Sequence, residues 1–442
     1  MLAWACHYAP LSSPCGSSFY EESGCSWKAV MDCTQSARTQ QALPRRHQPT
    51  TVDVTIIGAG PAGALLAYLL AVRGLQVVLV EKARLPRVKP CGGGLNWKTV
   101  TLLPFAIDSV VERTVSHVVF TRNLRHLFTR TYPEPLVTMV TRCAFDHFLV
   151  QRAAAAGAQI YDNCQVTGLA EQPRSIAVRI AGHTWRSRYV AFADGAKGSL
   201  RRQLGFTATA PHDIGLDLEV EAGGTCPWVP HTLYIDWGAY PQTYAWAFPK
   251  ANHWSIGVKG PAPQGRTLGR YLRQFMQRWQ LAPVAGKLHY LAHMLPTRLP
   301  GTPLVRGRAL VLGDAAGLLE PFTGEGIYYA LRSAYLAAEA LTVASNSDTS
   351  PLAYETAIET EIMPELTGAR ALQQVFDAWP WLFHVLVRTH QRSWRALAKI
   401  LRGERGFHDI EQILRRYPNL VRMLLRLQRS APQTWRMRVW GT

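Results

Sequence analysis

Nothing in this 442-residue sequence approaches the roughly 18 uninterrupted apolar residues that a membrane-spanning helix needs; the most apolar run is 63–72. Transmembrane anchoring is therefore not expected, while surface association stays open. Acidic residues are scarce, at 30 against 48 Lys and Arg, so the net charge is +18. A positive excess favours acidic partners such as nucleic acid, anionic lipid, a diphosphate, NADPH or an acidic redox protein. A solvated basic surface would account for it equally well. The eight cysteines include no CxxC pair, which argues against a zinc site. Cys6, Cys15, Cys25 and Cys33 crowd the first residues and Cys91, Cys143, Cys164 and Cys226 are scattered. A reducing, cytoplasmic compartment follows, and no metal site is expected. A charged n-region followed by an apolar h-region is also missing, so no secretory signal is read. No internal repeat is found.

Residues 1–50 are rich in Ser, Cys, Gln and Thr and lack apolar periodicity. A transit peptide and a segment upstream of a start at Met31 fit this leader alike, and it is expected to be disordered. From Val52 the pattern sharpens. Val52 to Ile57 reads as a buried strand, 61–73 as a helix, and 75–80 as a second strand ending on Glu81. Further strands are expected at 189–193 and 308–312. They imply a discontinuous α/β nucleotide domain over 51–205 and 291–345, interrupted by an aromatic-rich insertion at 206–290. From 346 to 442 the chain reads as helical. Ile410, Ile413, Leu414 and Tyr417 keep helical spacing, as do Trp394, Leu397, Ala398 and Leu401.

The first chemical motif is Gly58-Ala59-Gly60-Pro61-Ala62-Gly63, between the first strand and the helix. Its first glycine permits the tight turn, its second lets a pyrophosphate approach the backbone, and its third allows close helix–strand packing. Glu81 can accept from a ribose 2′-hydroxyl, which favours FAD or NAD over NADP at this site. Two later turns separate FAD from NAD. Ala193-Asp194-Gly195-Ala196 follows one strand, and Gly313-Asp314-Ala315-Ala316-Gly317 follows another and leads through Gly324, Glu325, Gly326 and Ile327 into an Ala-rich helix. Asp314 suits the ribityl hydroxyls of FAD, although a helix cap is an alternative role. The helix opening at Gly326 would aim its positive end at the flavin N1/C2 oxygen. No second GxGxxG follows, so the reductant must dock transiently: NAD(P)H, or a protein such as ferredoxin.

The three motifs in this order resemble the glutathione-reductase-type FAD fold of the para-hydroxybenzoate hydroxylase-like flavoproteins. Within that group the sequence is similar to the geranylgeranyl reductase family. Two segments carry this resemblance: Lys89-Pro90-Cys91-Gly92-Gly93-Gly94-Leu95, and Pro241 to Lys250, which matches a PxxYxWxFP pattern. The resemblance spans 52–341. It implies a Rossmann-type domain with an inserted mixed-sheet substrate domain and C-terminal helices. It also implies that Lys82 and Arg142 join the FAD contacts and that the Cys91 loop approaches the isoalloxazine. The implied reaction is hydride transfer to an isoprenoid double bond, with proton delivery accompanying or preceding the hydride. Cys91 could donate that proton or merely fill space. Tyr244, Trp246 and Phe248 alternate along a strand and so share one face, where they could wall an isoprenoid tunnel or serve as sheet core. Glu325 could cap its helix or relay a proton. The implied substrate is a prenylated lipid or prenyl diphosphate, with no nucleic acid. A monooxygenase or halogenase on the same scaffold is the nearest alternative. Residues 365–442 carry 14 Lys/Arg against 5 Asp/Glu, with tryptophans at 379, 381, 394, 435 and 440. Peripheral docking on anionic membrane is expected there, beside the plainer role of covering the substrate domain.

Overall fold

The computed structural model describes residues 51–409, apart from 181, 208–210, 222–228, 230 and 281–289. The leader at 1–50, the helical spacing at 410–417, and Trp435 and Trp440 lie outside the described residues.

Strand Thr51–Ile57 is central because both its faces are apolar or buried. It pairs in parallel with Val77–Val80 on one side and with His183–Phe192 on the other. The sheet continues in parallel to Gln159–Tyr161 and to Ala309–Val311, with an antiparallel edge strand Val305–Arg306. Helix Pro61–Val72 has no strong apolar stripe because it is buried nearly all round. It packs against helix Arg142–Ala155 as well as helix Ile327–Ser347.

The second sheet has seven strands, in the order Leu291–Pro296, Pro211–Glu221, His253–Pro261, Tyr244–Pro249, Thr232–Trp237, His117–Arg122, Arg125–Thr131. All neighbours run antiparallel except Thr232–Trp237 with His117–Arg122, which is parallel. This corrects the boundaries expected from sequence. Strands 117–122 and 125–131 come from inside the stretch assigned to the nucleotide domain, and 291–296 lies past the assigned end of the insertion. The parallel join spans more than 100 residues of chain, and no local pattern announces it. Helix Gly265–Arg278 covers this sheet with Leu268, Tyr271, Leu272, Phe275 and Met276 at helical spacing.

Helices Pro380–Thr389 and Gln391–Arg402 lie against the 117–131 hairpin, and helix Met363–Ala378 meets the neighbouring strand through Phe376, 5.6 Å from Trp237 between ring centroids. The Trp394 indole N–H donates to Thr131 O at 2.8 Å and Arg130 Nε donates to Val387 O at 2.8 Å. Trp394 is fully buried, so it cannot serve as the interfacial anchor expected from sequence. Its large apolar ring closes the core against Phe120, at a centroid distance of 6.1 Å.

Candidate active site

The turn after strand Thr51–Ile57 is so tight that two of its glycines admit no side chain. A Cβ on Gly58, at φ +105°, would lie 2.4 Å from Ala193 O, and one on Gly63 only 1.9 Å from Gly58 O. Gly60 differs. A Cβ there would meet nothing nearer than Arg87 Nη2 at 3.7 Å, so the loop keeps an open cradle in front of the helix. No side chain caps that helix end. This is the shape a pyrophosphate requires. Ala59 supports the cradle by donating its amide to Glu81 Oε2 at 3.0 Å, while Ala83 N donates to Oε1 at 3.0 Å. Glu81 is thus buried and braces the loop, and Lys82 beside it is exposed. Arg87 bridges Glu81 and Asp146, at 3.3 Å to each. Sequence reasoning missed Arg87, since nothing in its spacing sets it apart from neighbouring basic residues.

Across the cradle, Gly313 backs onto Ala62: a Cβ on the glycine would lie 3.1 Å from Ala62 Cβ. Asp314 then faces Lys89 at 3.5 Å and His293 at 3.3 Å. Burial alone would favour the neutral acid, but Lys89 and His293 hold this carboxyl well below the usual carboxylate range. An ionised acceptor therefore stands in the site, as ribityl hydroxyls demand. Arg142 forms a two-pronged pair with Asp146, at 2.8 and 2.9 Å. Burial opposes the Arg142 charge, yet Asp146, then the Cys91 thiol beside it, more than offset that. Asp194 is paired with Arg201 at 3.2 Å; burial pushes its carboxyl up and Arg201 opposes the shift. Glu325 accepts the Tyr328 amide at 2.9 Å at the start of helix Ile327–Ser347, so the capping role is the one its geometry fills. His293 was not singled out from sequence, and Lys89 stood there only as part of a motif, because only the fold brings them to Asp314.

A cavity of about 320 Å³ runs from the cradle to the second sheet and the C-terminal helices. Gly60, Ala62, Arg142 and Asp314 line one end, with Gly324, Gly326 and Ile327 beside them. Cys91, Tyr244, Trp246 and Phe248 line its middle, and Phe376, Leu397 and Leu401 the far wall. Glu81, Lys82, Asp194, Gly58, Ala59, Gly63 and Gly313 do not line this cavity. Tyr244, Trp246 and Phe248 form a ladder with centroid steps of 5.8 and 6.1 Å. The Cys91 loop sits directly on it: a Cβ on Gly92 would fall 2.7 Å from Phe248 Cδ2 and 3.2 Å from Trp246 Nε1. Lys250, buried at the end of the ladder strand, donates to Gly92 O at 2.6 Å and Val140 O at 2.7 Å. Burial pushes the Lys250 pKa down, although Glu219 and the Cys91 thiol oppose this. Gly93 N donates to Cys91 Sγ at 3.4 Å, and the Tyr244 hydroxyl donates to Thr323 O. Hydrogen bonds thus tie the Cys91 loop to the end of the ladder strand, and the ladder to the turn before helix Ile327–Ser347. Among the described residues no cluster could hold a metal ion.

A family profile described as an FAD binding domain matches residues 51–237. An uncharacterized protein of Methanosarcina barkeri is 30% identical over 66% of this chain and 74% of its own. The chloroplastic geranylgeranyl diphosphate reductase of Oryza sativa is 26% identical over 72% of this chain and 71% of its own. A geranylgeranyl bacteriochlorophyll reductase-like protein from Thermoplasma acidophilum superposes with a TM-score of 0.71 at 22% identity, covering 86% of this chain and all of that one. The structure of a flavin-dependent brominase superposes with a TM-score of 0.68 at 19% identity, over 84% of this chain and all of that one. With an FAD-binding domain and these relatives, the chain belongs to the family of FAD-dependent flavoproteins that includes the geranylgeranyl reductases.

Proposed function

We propose that this protein reduces carbon–carbon double bonds of isoprenoid chains. The observation that carries this reading is the aromatic ladder, packed onto the Cys91 loop inside a cavity whose lining extends to Phe376, Leu397 and Leu401. Bound FAD supplies the hydride. The chain's own residues do the rest. An unactivated alkene accepts a hydride only as positive charge develops on its more substituted carbon, and the faces of Tyr244, Trp246 and Phe248 stabilise that charge by about 1–2 kcal/mol each in a dry site. The ladder and the apolar far wall exclude water and hold the prenyl chain extended past the loop. Cys91, on the cavity surface, delivers the proton. NAD(P)H or ferredoxin is the proposed electron donor, and a prenylated lipid or prenyl diphosphate the substrate. The test is anaerobic turnover of dithionite-reduced protein with a prenyl lipid, followed by mass spectrometry. The expected product has gained two hydrogens. Product that forms only with oxygen would instead mark a monooxygenase or halogenase.

A bilayer-borne substrate must be met at the membrane surface, because no helix among the described residues is long and apolar enough to cross a membrane. Basic groups contribute about 1 kcal/mol each near anionic lipid, and the C-terminal residues supply them along with the half-buried Trp379 and Trp381. Co-sedimentation with vesicles should rise with anionic lipid and fall with added salt. Binding indifferent to both would remove the membrane from the proposal.

A further inference from the structure

Next to the thiol loop lies a carboxyl that the reaction above leaves unused. Asp217, on strand Pro211–Glu221, is paired with Gly257, and Gly257 in turn with Trp246. The three form one cross-strand row. Having no side chain, Gly257 lets the indole lie across it: a Cβ there would sit 2.2 Å from Trp246 Cζ2. Asp217 lines the cavity yet is only 4% exposed. Ser255 Oγ donates to its Oδ1 at 3.1 Å, and the main-chain N–H of Cys91 lies close enough to oppose the upward shift of this carboxyl. Oδ2 has no hydrogen-bond partner. Lys250, the cation nearby, is spent on the carbonyls of Gly92 and Val140, and no salt bridge reaches Asp217 among the described residues. Burial, with the neighbouring Glu219 carboxyl, pushes the Asp217 pKa well above the usual carboxylate range. An ionised carboxylate without a cation is costly in such a place, whereas the neutral acid carries an O–H that it can give away.

We propose that Asp217 is the proton reservoir of this pocket, the acid that restores the thiol of Cys91 after that thiol has protonated the substrate carbon. The proposal rests on the reading that the pocket saturates alkenes. Saturation needs one hydride at one alkene carbon, which reduced FAD would supply when bound, and one proton at the other. At Cys91 the S–H bond breaks as the C–H bond forms, leaving a thiolate beside the Arg142 guanidinium. The Asp217 O–H bond then breaks, the S–H bond re-forms, and water later returns a proton to the carboxylate. The electrons come from the reductant, dithionite or a reduced pyridine nucleotide. Asp217 acts through Cys91 and is a positioning residue of the proton, not a group that touches the alkene.

Two measurements on the full-length, FAD-loaded protein test this. Infrared spectroscopy without substrate should show a protonated-carboxyl C=O band that Asp217→Asn removes and that Cys91→Ser and Asp217→Glu retain. In rapid-mixing turnover, Asp217→Asn should complete its first alkene reduction near the wild-type rate and then slow by about 10²-fold in steady state, with Asp217→Glu rescuing the later turnovers. An unchanged carboxyl band in Asp217→Asn, or a steady-state rate equal to wild type, overturns the reservoir. A wild-type protein that saturates no prenyl alkene would sink the reductase reading and the reservoir's task with it, whereas loss of the infrared prediction alone would overturn the reservoir and leave the reductase reading standing.

Discussion

Cys91→Ser is expected to leave reduction of the bound flavin intact while slowing alkene saturation by about 10²–10⁴-fold, the range over which a positioned general acid acts. The substitution is nearly isosteric, and the contacts around it favour a clean result. Gly93 N can donate to a serine oxygen as it does to Sγ, and Lys250 still ties the loop through Gly92 and Val140 carbonyls. What changes is the acidity of the group on the cavity surface, since an alcohol gives up its proton far less readily than a thiol. Stopped-flow traces of the two half-reactions decide the matter. An equal loss in both would mean that Cys91 shapes the loop under the flavin and carries no proton.

A single methyl at Gly63 should have the other large effect. Its Cβ would fall 1.9 Å from the Gly58 carbonyl oxygen and 3.0 Å from Ala193 Cβ. The nearest atom is backbone, so no rotamer change relieves the overlap. The first turn of helix Pro61–Val72 must back away from strand Thr51–Ile57, at the upper end of overpacking costs, about 3 kcal/mol. Gly63→Ala protein should purify without yellow colour and melt roughly 3–4 °C lower. A yellow Gly63→Ala protein with an unchanged Tm would contradict the close approach described for this turn.

The nucleotide half of the molecule was legible in the sequence because its signals are local. Buried strand, glycine turn, helix and terminal Glu81 follow one another within 31 residues, and the turn chemistry admits few alternatives. The ladder was legible for the same reason: alternation along Tyr244 to Phe248 fixes a shared face. Arg87, His293, Lys250 and Asp217 were not legible. Each acquires its meaning from a partner far along the chain, such as Asp146 for Arg87 or Asp314 for His293. Trp394 misled because a tryptophan on a basic helix reads alike at a lipid interface and over a sheet. Only the strand pairing that places Thr131 beneath its indole distinguishes the two.

The parallel join between Thr232–Trp237 and His117–Arg122 has a mechanical meaning. The chain leaves the first sheet for the second and comes back, twice over, before it reaches helix Ile327–Ser347. Neither half is a contiguous module that could be cut out, exchanged between relatives or released by a single proteolytic nick. Slack introduced in one half is carried by covalent chain into the other, so loosening the nucleotide cradle should also loosen the aromatic walls of the cavity. Such interleaving closes its decisive contacts late, across long loops.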